Sequence, residues 1–424
     1  MTRRRWIFAS GAALVVVGVL AASGTGTRAW RAAYPYLPAR VQAVPYRLAA
    51  LVRRPATPVA LPTPRPPGPA EPPSSAVPPG AQPGAQPAAT MHRPATDPPT
   101  SPSTPLPTPG PIPTSITGTA QLSGVTHAYQ TWNNCGPATI SMALSVLGLD
   151  EGQAQAAVRL KPNPNDKNVS LDELARYAAE RGAATTLRYG GRIDALMALV
   201  RSGWPVIVET WFEPEPGDEM GHYRLVTGFD AERRTLTLSD SYLGPAITEP
   251  FDRFDADWRA FDRALLVVHP PQVAPDVVAI VGDGGAAMWI RAAATASEEI
   301  ARNADAFGWF NLGTSLQGSG DSAGAATAFD RARAIGLPWR MLWYQFAPFE
   351  AYASVGRWSD VKALADANLK NAADLEESWY WLGRARDADG DRPGAIAAWR
   401  GASDLNPLYE APANALAAVG GGAP

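Results

Sequence analysis

The stretch QTWNNCGPATISMALSVLG, residues 130–148, holds the only cysteine of the 424-residue chain. Apolar residues recur at helical spacing over residues 138–147, and Gly148 provides a natural end for a helix. The pattern therefore predicts a buried, apolar helix. It places Cys135 at the start of that helix and not among its core positions.

A thiol at the start of a helix is well placed to lose its proton. Asn133 or Asn134 can cap the predicted helix, and Pro137 fits the first turn, where its missing N–H costs nothing. The helix macrodipole and the free N–H groups then stabilise an anion at Cys135 and lower the thiol pKa. On this position alone an inert cysteine is the alternative, because a nucleophile also requires a base, an orienting group and oxyanion donors.

Two predicted strands carry a candidate base and its orienting group. Residues 221–230 (GHYRLVTGFD) and 235–240 (TLTLSD) have the composition of strands, and the turn signal DAERR lies between them. The first strand opens with His222 and the second ends with Asp240.

The pairing of these strands decides whether the two side chains meet. A hairpin centred near Glu232 puts Asp240 opposite Arg224 and diagonal to His222 on one sheet face. Diagonal neighbours are roughly 7–8 Å apart at the backbone, which a carboxylate and an imidazole can bridge. A register slip of one residue puts them on opposite faces. We expect the first register, with His222 as base and Asp240 as its orienting group.

Gln130 is a candidate for the last part of such a site. A side-chain amide shortly before the nucleophile, together with the backbone N–H of Cys135, can hold the oxyanion of a tetrahedral intermediate. A glutamine in a surface loop is the simpler alternative when this residue is considered alone.

These residues together resemble a known family. The block at 130–138, Gly-His-Tyr at 221–223 and Asp-Ser-Tyr at 240–242 are similar to papain-like cysteine peptidases of the bacteriocin-processing, double-glycine-leader type, in their stand-alone form. The similarity spans about residues 117–270. It implies an α+β papain-like cysteine peptidase domain acting on a peptide or protein substrate. The catalytic roles that it implies are Cys135 as nucleophile, His222 as general base and acid, Asp240 as orienting group and Gln130 as oxyanion donor.

Two other functions stay open for the same residues. One is a catalytically inactive papain-like binding scaffold, although the chain retains all three triad residue types. The other is an acyltransferase or amidase acting on cell-wall peptides, because related Cys–His sites use this chemistry on non-protein substrates. No transporter or ATP-binding segment is recognisable in the sequence, so trimming of an exported leader peptide is not implied.

Other segments agree with an α+β layout. Ser170 and Glu173 have the spacing of a capping box that opens a helix. Residues 205–211 predict an apolar strand. The acidic sequence FEPEPGDEMG at 212–221 directly precedes His222, and we interpret it as a solvated loop, with a lid or specificity loop as the alternative.

The C-terminal part, residues 284–420, contains an alanine-rich helical repeat. The frame Trp-x-x-Leu-Gly begins at Trp309 and returns at Trp379. Turn glycines recur close to the roughly 34-residue period of tetratricopeptide repeats: Gly320, Gly356 and Gly390. We therefore predict an all-α tetratricopeptide-repeat solenoid of about three units. We expect it to bind a protein or peptide partner; a purely architectural stack is the alternative.

The N-terminus has the pattern of a targeting segment. Arginines at 3–5 precede an apolar run at 6–22, which is typical of a signal anchor or signal peptide at residues 1–26. We favour an anchor, which makes the protein single-pass in the cell membrane with its domains outside the cytoplasm; cleavage makes it secreted. Residues 27–116 are interpreted as a juxtamembrane segment and a disordered Pro-rich linker, since about half of the 42 prolines fall within 55–113.

Composition excludes several classes of partner. The formal net charge of −3 leaves no basic stripe, so we expect no nucleic-acid partner. A single cysteine excludes an internal disulfide framework and a thiolate-rich zinc site. The four histidines lack metal-ligand spacing, so we expect no metal and no cofactor. They are His92, His127, His222 and His269.

Overall fold

The computed structural model describes residues 57–64, 116–149 and 151–420. The predicted anchor at 1–26 and nearly all of the predicted linker at 27–116 lie outside these residues, so both stay predictions. The described residues form an α+β domain followed by a mostly helical part.

An antiparallel sheet of seven described strands forms the centre of the α+β domain. Its strands are β1 (Thr119–Gln121), β2 (Ala184–Arg188), β3 (Val206–Phe212), β4 (Met220–Asp230), β5 (Thr235–Asp240), β6 (Gly244–Pro250) and β7 (Leu265–His269). Their order is β2-β7-β3-β4-β5-β6, and β1 pairs with the last residues of β4.

Five of the described α-helices belong to this domain. They are α1 (Cys135–Val146), α2 (Gln153–Leu160), α3 (Leu171–Glu180), α4 (Ile193–Arg201) and α5 (Phe251–Trp258). The helix predicted from the opening stretch begins at Cys135, and Gly148 follows it with a φ of 72°. The capping box before α3 is confirmed, because Ser170 Oγ accepts from the N–H of Glu173.

One face of the sheet packs against α1, α2 and α3. The strand residues in this core are Ile207, Tyr223, Leu225, Leu266 and Val268. A further tie joins α1 to β4, since Thr139 Oγ1 donates to the Tyr223 carbonyl at 3.3 Å. Burial of these apolar faces stabilises the packing by about 25 cal/mol per Å². The packing fixes the start of α1 beside the start of β4.

The helical part continues from the sheet. Its helices are α6 (Ala274–Val281), α7 (Gly285–Arg302), α8 (Ala306–Ser319), α9 (Ser322–Ile335), α10 (Ala347–Ser354), α11 (Trp358–Asn371), α12 (Glu376–Ala388), α13 (Arg392–Leu405) and α14 (Glu410–Ala418). The pairs α8–α9, α10–α11 and α12–α13 are each in contact. The glycines between the paired helices have positive φ, of 94°, 75° and 82°: Gly320, Gly356 and Gly390.

An equivalent glycine–aromatic contact occurs in the first and third of these pairs. A Cβ on Gly313 of α8 would lie 2.6 Å from the ring of Phe329 on α9. A Cβ on Gly383 of α12 would lie 2.4 Å from the ring of Trp399 on α13. The glycine at this position lets a large ring fill the space between the helices. The Trp-x-x-Leu-Gly frame therefore reflects close helix packing.

One described segment, Pro271–Arg302, has the length and apolar composition of a membrane-crossing helix. It consists of a short 3₁₀ turn, α6 and α7, with Gly282 at a φ of 80° between the two helices. Because α7 packs against α8, we describe the segment as part of the helical domain.

Residues 57–64 are bound to the helical part. Val59 N–H donates to Asn371 Oδ1, and Asn371 Nδ2 donates to the Val59 carbonyl, both at 2.8 Å. The Pro62 carbonyl accepts from Arg333 Nε and Nη2 at 3.0 and 2.8 Å. This piece of the predicted linker differs from the expectation of a disordered chain, because side chains of α9 and α11 bond main-chain groups of Val59 and Pro62.

Candidate active site

The candidate site lies where the start of α1 meets the first residues of β4. Cys135 is the first residue of α1 and is partly exposed, whereas His222 on β4 is buried. The imidazole acts on the thiol, since a hydrogen bond and the charge of His222 both lower the pKa of Cys135. The expected asparagine cap is absent, because Asn134 Nδ2 donates to Thr131 Oγ1 at 2.6 Å and its side chain makes no bond to the helix.

Asp240 is bonded to the far side of the imidazole. Its Oδ1 lies 3.0 Å from His222 Nε2, which leaves Nδ1 to face the thiol. The backbone N–H groups of Tyr242 and Leu243 donate to the same oxygen at 2.8 and 2.9 Å. Arg224 Nε lies 3.3 Å from Oδ2. Burial raises the pKa of Asp240, but His222 and Arg224 outweigh it and lower that pKa to about 2, so the carboxylate stays ionised.

A β-bulge at Thr227 sets the register that brings these groups together. Near the turn, Gly228 pairs with Thr237. The next residue of β5, Leu238, pairs with Val226, which lies two residues from Gly228 on β4. Thr227 is therefore one extra residue on β4. Its carbonyl accepts from the Leu122 N–H at 2.7 Å, and its Oγ1 donates to the Thr237 carbonyl at 3.1 Å.

The bulge places Asp240 on the His222 face. Leu225 pairs with Ser239 beyond the bulge, so Asp240 follows opposite Arg224. Asp240 thus lies opposite Arg224, as predicted. The bulge at Thr227, and not the position of the hairpin turn, produces this register. The hairpin turn alone would have set Asp240 opposite Leu225, on the other face.

The electrostatics of the thiol favour its anion. Burial raises the pKa of Cys135, yet the hydrogen bond and charge of His222, a backbone bond at Tyr223 and the Lys161 ammonium together lower it below the usual thiol value. For His222, burial lowers the pKa, while Asp240 and Cys135 raise it to about 9. Both shifts favour a thiolate beside an imidazolium.

Asn133, which the sequence suggested only as a cap, lines the cavity beside Cys135. Its φ of 57° is in the left-handed region that asparagine tolerates better than most residues. The buried Lys161 holds this backbone, since its Nζ donates to the Asn133 carbonyl at 2.7 Å. Asn133 Nδ2 is buried without a hydrogen-bond partner among the residues that the structure describes. In the sequence, only the Asn-Asn pair before the cysteine indicated that Asn133 lies near the thiol.

Gln130 is held beside the end of β5. The residue is 8% exposed, and its side-chain Oε1 accepts from Ser241 Oγ at 2.8 Å. Its backbone N–H donates to the Ser241 carbonyl at 2.9 Å. Because the amide oxygen is occupied, the NH₂ group is the end left to donate. The role of Gln130 as oxyanion donor stays a prediction.

The other histidines take different places. His127 Nδ1 lies 2.8 Å from Ser239 Oγ, and the buried His269 lies with Nε2 2.9 Å from Thr186 Oγ1; His92 is outside the described residues. Within residues 57–64, 116–149 and 151–420, no cluster of three or more His, Cys, Asp and Glu side chains could hold a metal ion.

A small cavity of about 10 Å³ adjoins Cys135, and the helical part contributes to its wall. Tyr344, from the connection between α9 and α10, lines it together with Asn168 and Glu209. A second cavity of about 300 Å³ shares Glu209 and Tyr344 with the first. Burial raises the pKa of Glu209 well above its usual value, with a further contribution from Cys135. Neither Glu209 nor Tyr344 was predicted from the sequence to lie beside Cys135.

The helical part also bonds two loops of the α+β domain, one that contains Lys167 of the cavity wall and one that precedes Gly221 of the same wall. On one side, Arg340 Nη1 bonds Asp218 Oδ1 at 2.7 Å and the Glu219 carbonyl at 2.9 Å. The acidic loop, which we expected to be solvated, is thus attached to the helices. On the other side, Lys167 Nζ lies 2.6 Å from Asp374 Oδ2. The loops that contain Lys167 and Asp218 are therefore each bonded to the helical part.

Residues 116–265 match the model of the Peptidase_C39 like family. This part of the chain is therefore a papain-like, Peptidase_C39-like domain, and the family resemblance is confirmed for it. No curated protein matches the chain.

Solved structures similar to the chain include a protein from Bacillus anthracis described as a C39-like peptidase, at 16% identity and a TM-score of 0.30, over 35% of this chain and 96% of that one. The peptidase domain of Streptococcus ComA, a bifunctional ABC transporter of a quorum-sensing pathway, is 17% identical over 34% and 98%, with a TM-score of 0.29. A double-glycine-motif protease from an AMS/PCAT transporter, solved with the leader peptide, is 16% identical over 36% and 98%, with a TM-score of 0.27.

Proposed function

We propose that the chain is a cysteine peptidase that hydrolyses peptide or amide bonds through Cys135, His222 and Asp240. The observation that carries the proposal is one continuous set of contacts. His222 lowers the pKa of the thiol at the start of α1, and its Nε2 lies 3.0 Å from the ionised Asp240. This set supplies a nucleophile, a base and an orienting group in their required order.

The reaction follows from these positions. The Cys135 thiolate attacks the carbonyl carbon, and the imidazolium of His222 gives its proton to the leaving amine as the C–N bond breaks. Water then attacks the thioester and gives one proton to His222, and the C–S bond breaks, which releases the acid and restores the thiolate beside the imidazolium. Asp240 keeps the imidazole in one orientation and stabilises its charged form.

The tetrahedral intermediate requires donors for its oxyanion. The backbone N–H of Cys135 is free of a side-chain cap, and the amide groups of Gln130 and Asn133 are the nearby side-chain candidates. A preorganised donor is worth about 10²–10³ in kcat.

The helical part shapes the cleft and, in the proposed arrangement, binds a protein or peptide partner. Support comes from Tyr344 beside Cys135 and from the bonds of Arg340 and Lys167 to the bordering loops. Support for tetratricopeptide repeats comes from the paired helices and their turn glycines. We further propose an extracytoplasmic location, on the charge and apolar pattern of residues 1–22.

A catalytically inactive scaffold is the second candidate. The observation that favours it is the volume of the cavity beside Cys135, about 10 Å³, which holds about one water molecule. A substrate group larger than one water molecule does not fit this cavity at its present volume. The transferase or amidase alternative shares the same residues and differs in the acceptor and the substrate.

The purified full chain, incubated with a peptide library and with cell-wall fragments, tests the proposal. We expect cleavage of peptide bonds that is lost in Cys135→Ala and retained in Ser141→Ala, a buried serine of the same helix. Cleavage or transfer confined to cell-wall fragments would favour the alternative chemistry. No Cys135-dependent product from either pool, with a normal Cys135→Ala phenotype in cells, would favour the scaffold.

A further inference from the structure

The segment at residues 57–64, Thr-Pro-Val-Ala-Leu-Pro-Thr-Pro, lies in a site on the helical part that is built for an extended peptide. We call this site the linker groove. It consists of Arg333 on α9, Asn371 at the end of α11, and the apolar cluster of α8–α12 against which Leu61 packs.

Asn371 recognises main chain and not a particular side chain. Its amide oxygen accepts from the Val59 N–H and its amide nitrogen donates to the Val59 carbonyl, at 2.8 Å each. An asparagine side chain bonded to both groups of one residue requires that residue to be extended, with neither group used in local secondary structure. The geometry therefore selects extended peptides.

Arg333 is held ready for a carbonyl group. It is 4% exposed, its Nη1 bonds Asp360 Oδ1 at 2.8 Å, and its guanidinium lies 5.1 Å from the centroid of the Tyr352 ring. Its remaining donors Nε and Nη2 converge on the Pro62 carbonyl. With residues 57–64 in place these two donors are paired with a carbonyl and shielded from water, and in an emptied groove they are left to bond water or another acceptor.

The bound segment has the properties of a good groove ligand. Its three prolines fix φ and remove N–H groups, so it loses little entropy on binding. Leu61 precedes Pro62, which restricts it to extended conformations. The side chain of Leu61 enters the apolar cluster, whereas Thr63 is exposed. The groove thus recognises an extended residue, here Val59, through hydrogen bonds to its main chain, and a Leu-Pro pair that begins two positions later.

We propose that the linker groove is a binding site for extended Leu-Pro peptides and that residues 57–64 are its resident intramolecular ligand. A peptide on another molecule then binds only when residues 57–64 are displaced. Because both partners are in one chain, the effective concentration of the resident ligand is on the order of millimolar. A free peptide at micromolar concentration does not compete with it. This proposal rests on the partner-binding role proposed for the helical part and does not involve the thiol.

The test uses the full chain with Cys135→Ala, so that no peptide is cut, and a fluorescein-labelled peptide with the sequence of residues 57–64. Binding is measured by fluorescence anisotropy. Leu61→Asp is designed to empty the groove, and Thr63→Asp is its matched control, with the same added charge two residues away. We expect Leu61→Asp to bind the probe at least about tenfold more tightly than Thr63→Asp.

Adding Asn371→Ala to Leu61→Asp removes the groups that hold the main chain, and we expect it to weaken probe binding again by about tenfold. Thermal unfolding of both variants checks that the helices remain folded. Equal probe binding by Leu61→Asp and Thr63→Asp, including none by either, would overturn the proposal. Binding unaffected by Asn371→Ala would also overturn it. Neither result touches Cys135-dependent hydrolysis, which is measured separately.

Discussion

Asp240 bonds His222 across two strands whose pairing shifts by one residue at Thr227. The carboxylate is fixed by two backbone N–H groups on its own strand end and by Arg224 on the facing strand. Arg224 is in turn bonded to Glu249 Oε2 at 2.6 Å. The orienting group is thus held by the sheet itself, which limits the rotation of the imidazole.

The first prediction concerns the protonation of the thiol. The pKa of Cys135 is lowered and that of His222 is raised to about 9, and both shifts favour the charged pair over the neutral one. We expect iodoacetamide to alkylate Cys135 rapidly well below pH 8.5, the ordinary thiol value. In His222→Ala, alkylation should become slow and follow an ordinary thiol. The measurement is the alkylation rate against pH by mass spectrometry. A wild-type profile identical to that of His222→Ala would contradict the charged pair.

The second prediction concerns Asp240. In Asp240→Asn the imidazole loses both its preferred orientation and the charge that stabilises its protonated form. We expect kcat to fall by about two to four orders of magnitude with a smaller change in KM. Glu249→Gln is the control, since it also removes a carboxylate from Arg224 but does not touch His222. Steady-state kinetics on a peptide found in the library screen give the comparison; similar losses in both variants would mean that Asp240 acts only through Arg224.

The third prediction separates the oxyanion donors from the thiolate. We expect Gln130→Ala and Asn133→Ala each to lower kcat by about 10²-fold, because each removes one amide donor. Alkylation of Cys135 by iodoacetamide should stay fast in both, since that reaction forms no oxyanion. Asn165→Ala, an exposed asparagine on the nearby loop, is the control. If kcat is unchanged in one of these variants, the residue replaced in it is excluded as an oxyanion donor.

The fourth prediction concerns access to the cleft. Tyr344 lines the cavity beside Cys135, whereas Phe346 lines only the larger cavity. We expect Tyr344→Ala to speed labelling of Cys135 by a bulky maleimide severalfold while changing iodoacetamide labelling little. Phe346→Ala should change neither rate. If Tyr344→Ala accelerates both reagents equally, the tyrosine acts on thiol reactivity and not on access.

The fifth prediction is a pH dependence of stability. Burial raises the pKa of Glu377, with added repulsion from Glu376 and Asp166. The folded state thus holds this proton more tightly than the unfolded state, and stability falls as pH rises above the ordinary carboxyl pKa of about 4.3. One such group contributes up to about 1.4 kcal/mol per pH unit.

We therefore expect Tm to fall between pH 5 and pH 8 and the fall to be smaller in Glu377→Gln, which keeps an acceptor for Asn168 Nδ2. The exposed Glu298 provides the control Glu298→Gln. Thermal unfolding across this pH range makes the comparison. An unchanged slope in Glu377→Gln would show that other groups set the dependence.

The local patterns of the sequence predicted the local structure well. The helix start at Cys135, the capping box at Ser170 and the glycines between paired helices each depend on interactions within a few residues, so composition and spacing reveal them. The relation of Asp240 to Arg224 was predicted for an incomplete reason. A bulge such as that at Thr227 is stabilised by the distant Leu122, and no hairpin pattern contains that information.

Contacts between distant segments were not predictable in the same way. Tyr344 and Arg340 reach the site through the packing of the helices on the sheet domain, and their sequence surroundings give no sign of it. The binding of residues 57–64 was hidden for a related reason. A proline-rich composition is typical of a free linker, and only a groove with the right donors turns it into a ligand.

The bond between Val59 and Asn371 also has a consequence for the order of biogenesis. It joins residues 312 positions apart, and synthesis proceeds at roughly 5–20 residues per second. Val59 is therefore added to the chain roughly 15 to 60 seconds before Asn371. Throughout that interval the segment has no groove to enter, so its docking marks the completion of the chain. A product truncated before α11 keeps residues 57–64 accessible to proteases, which distinguishes it from the finished protein.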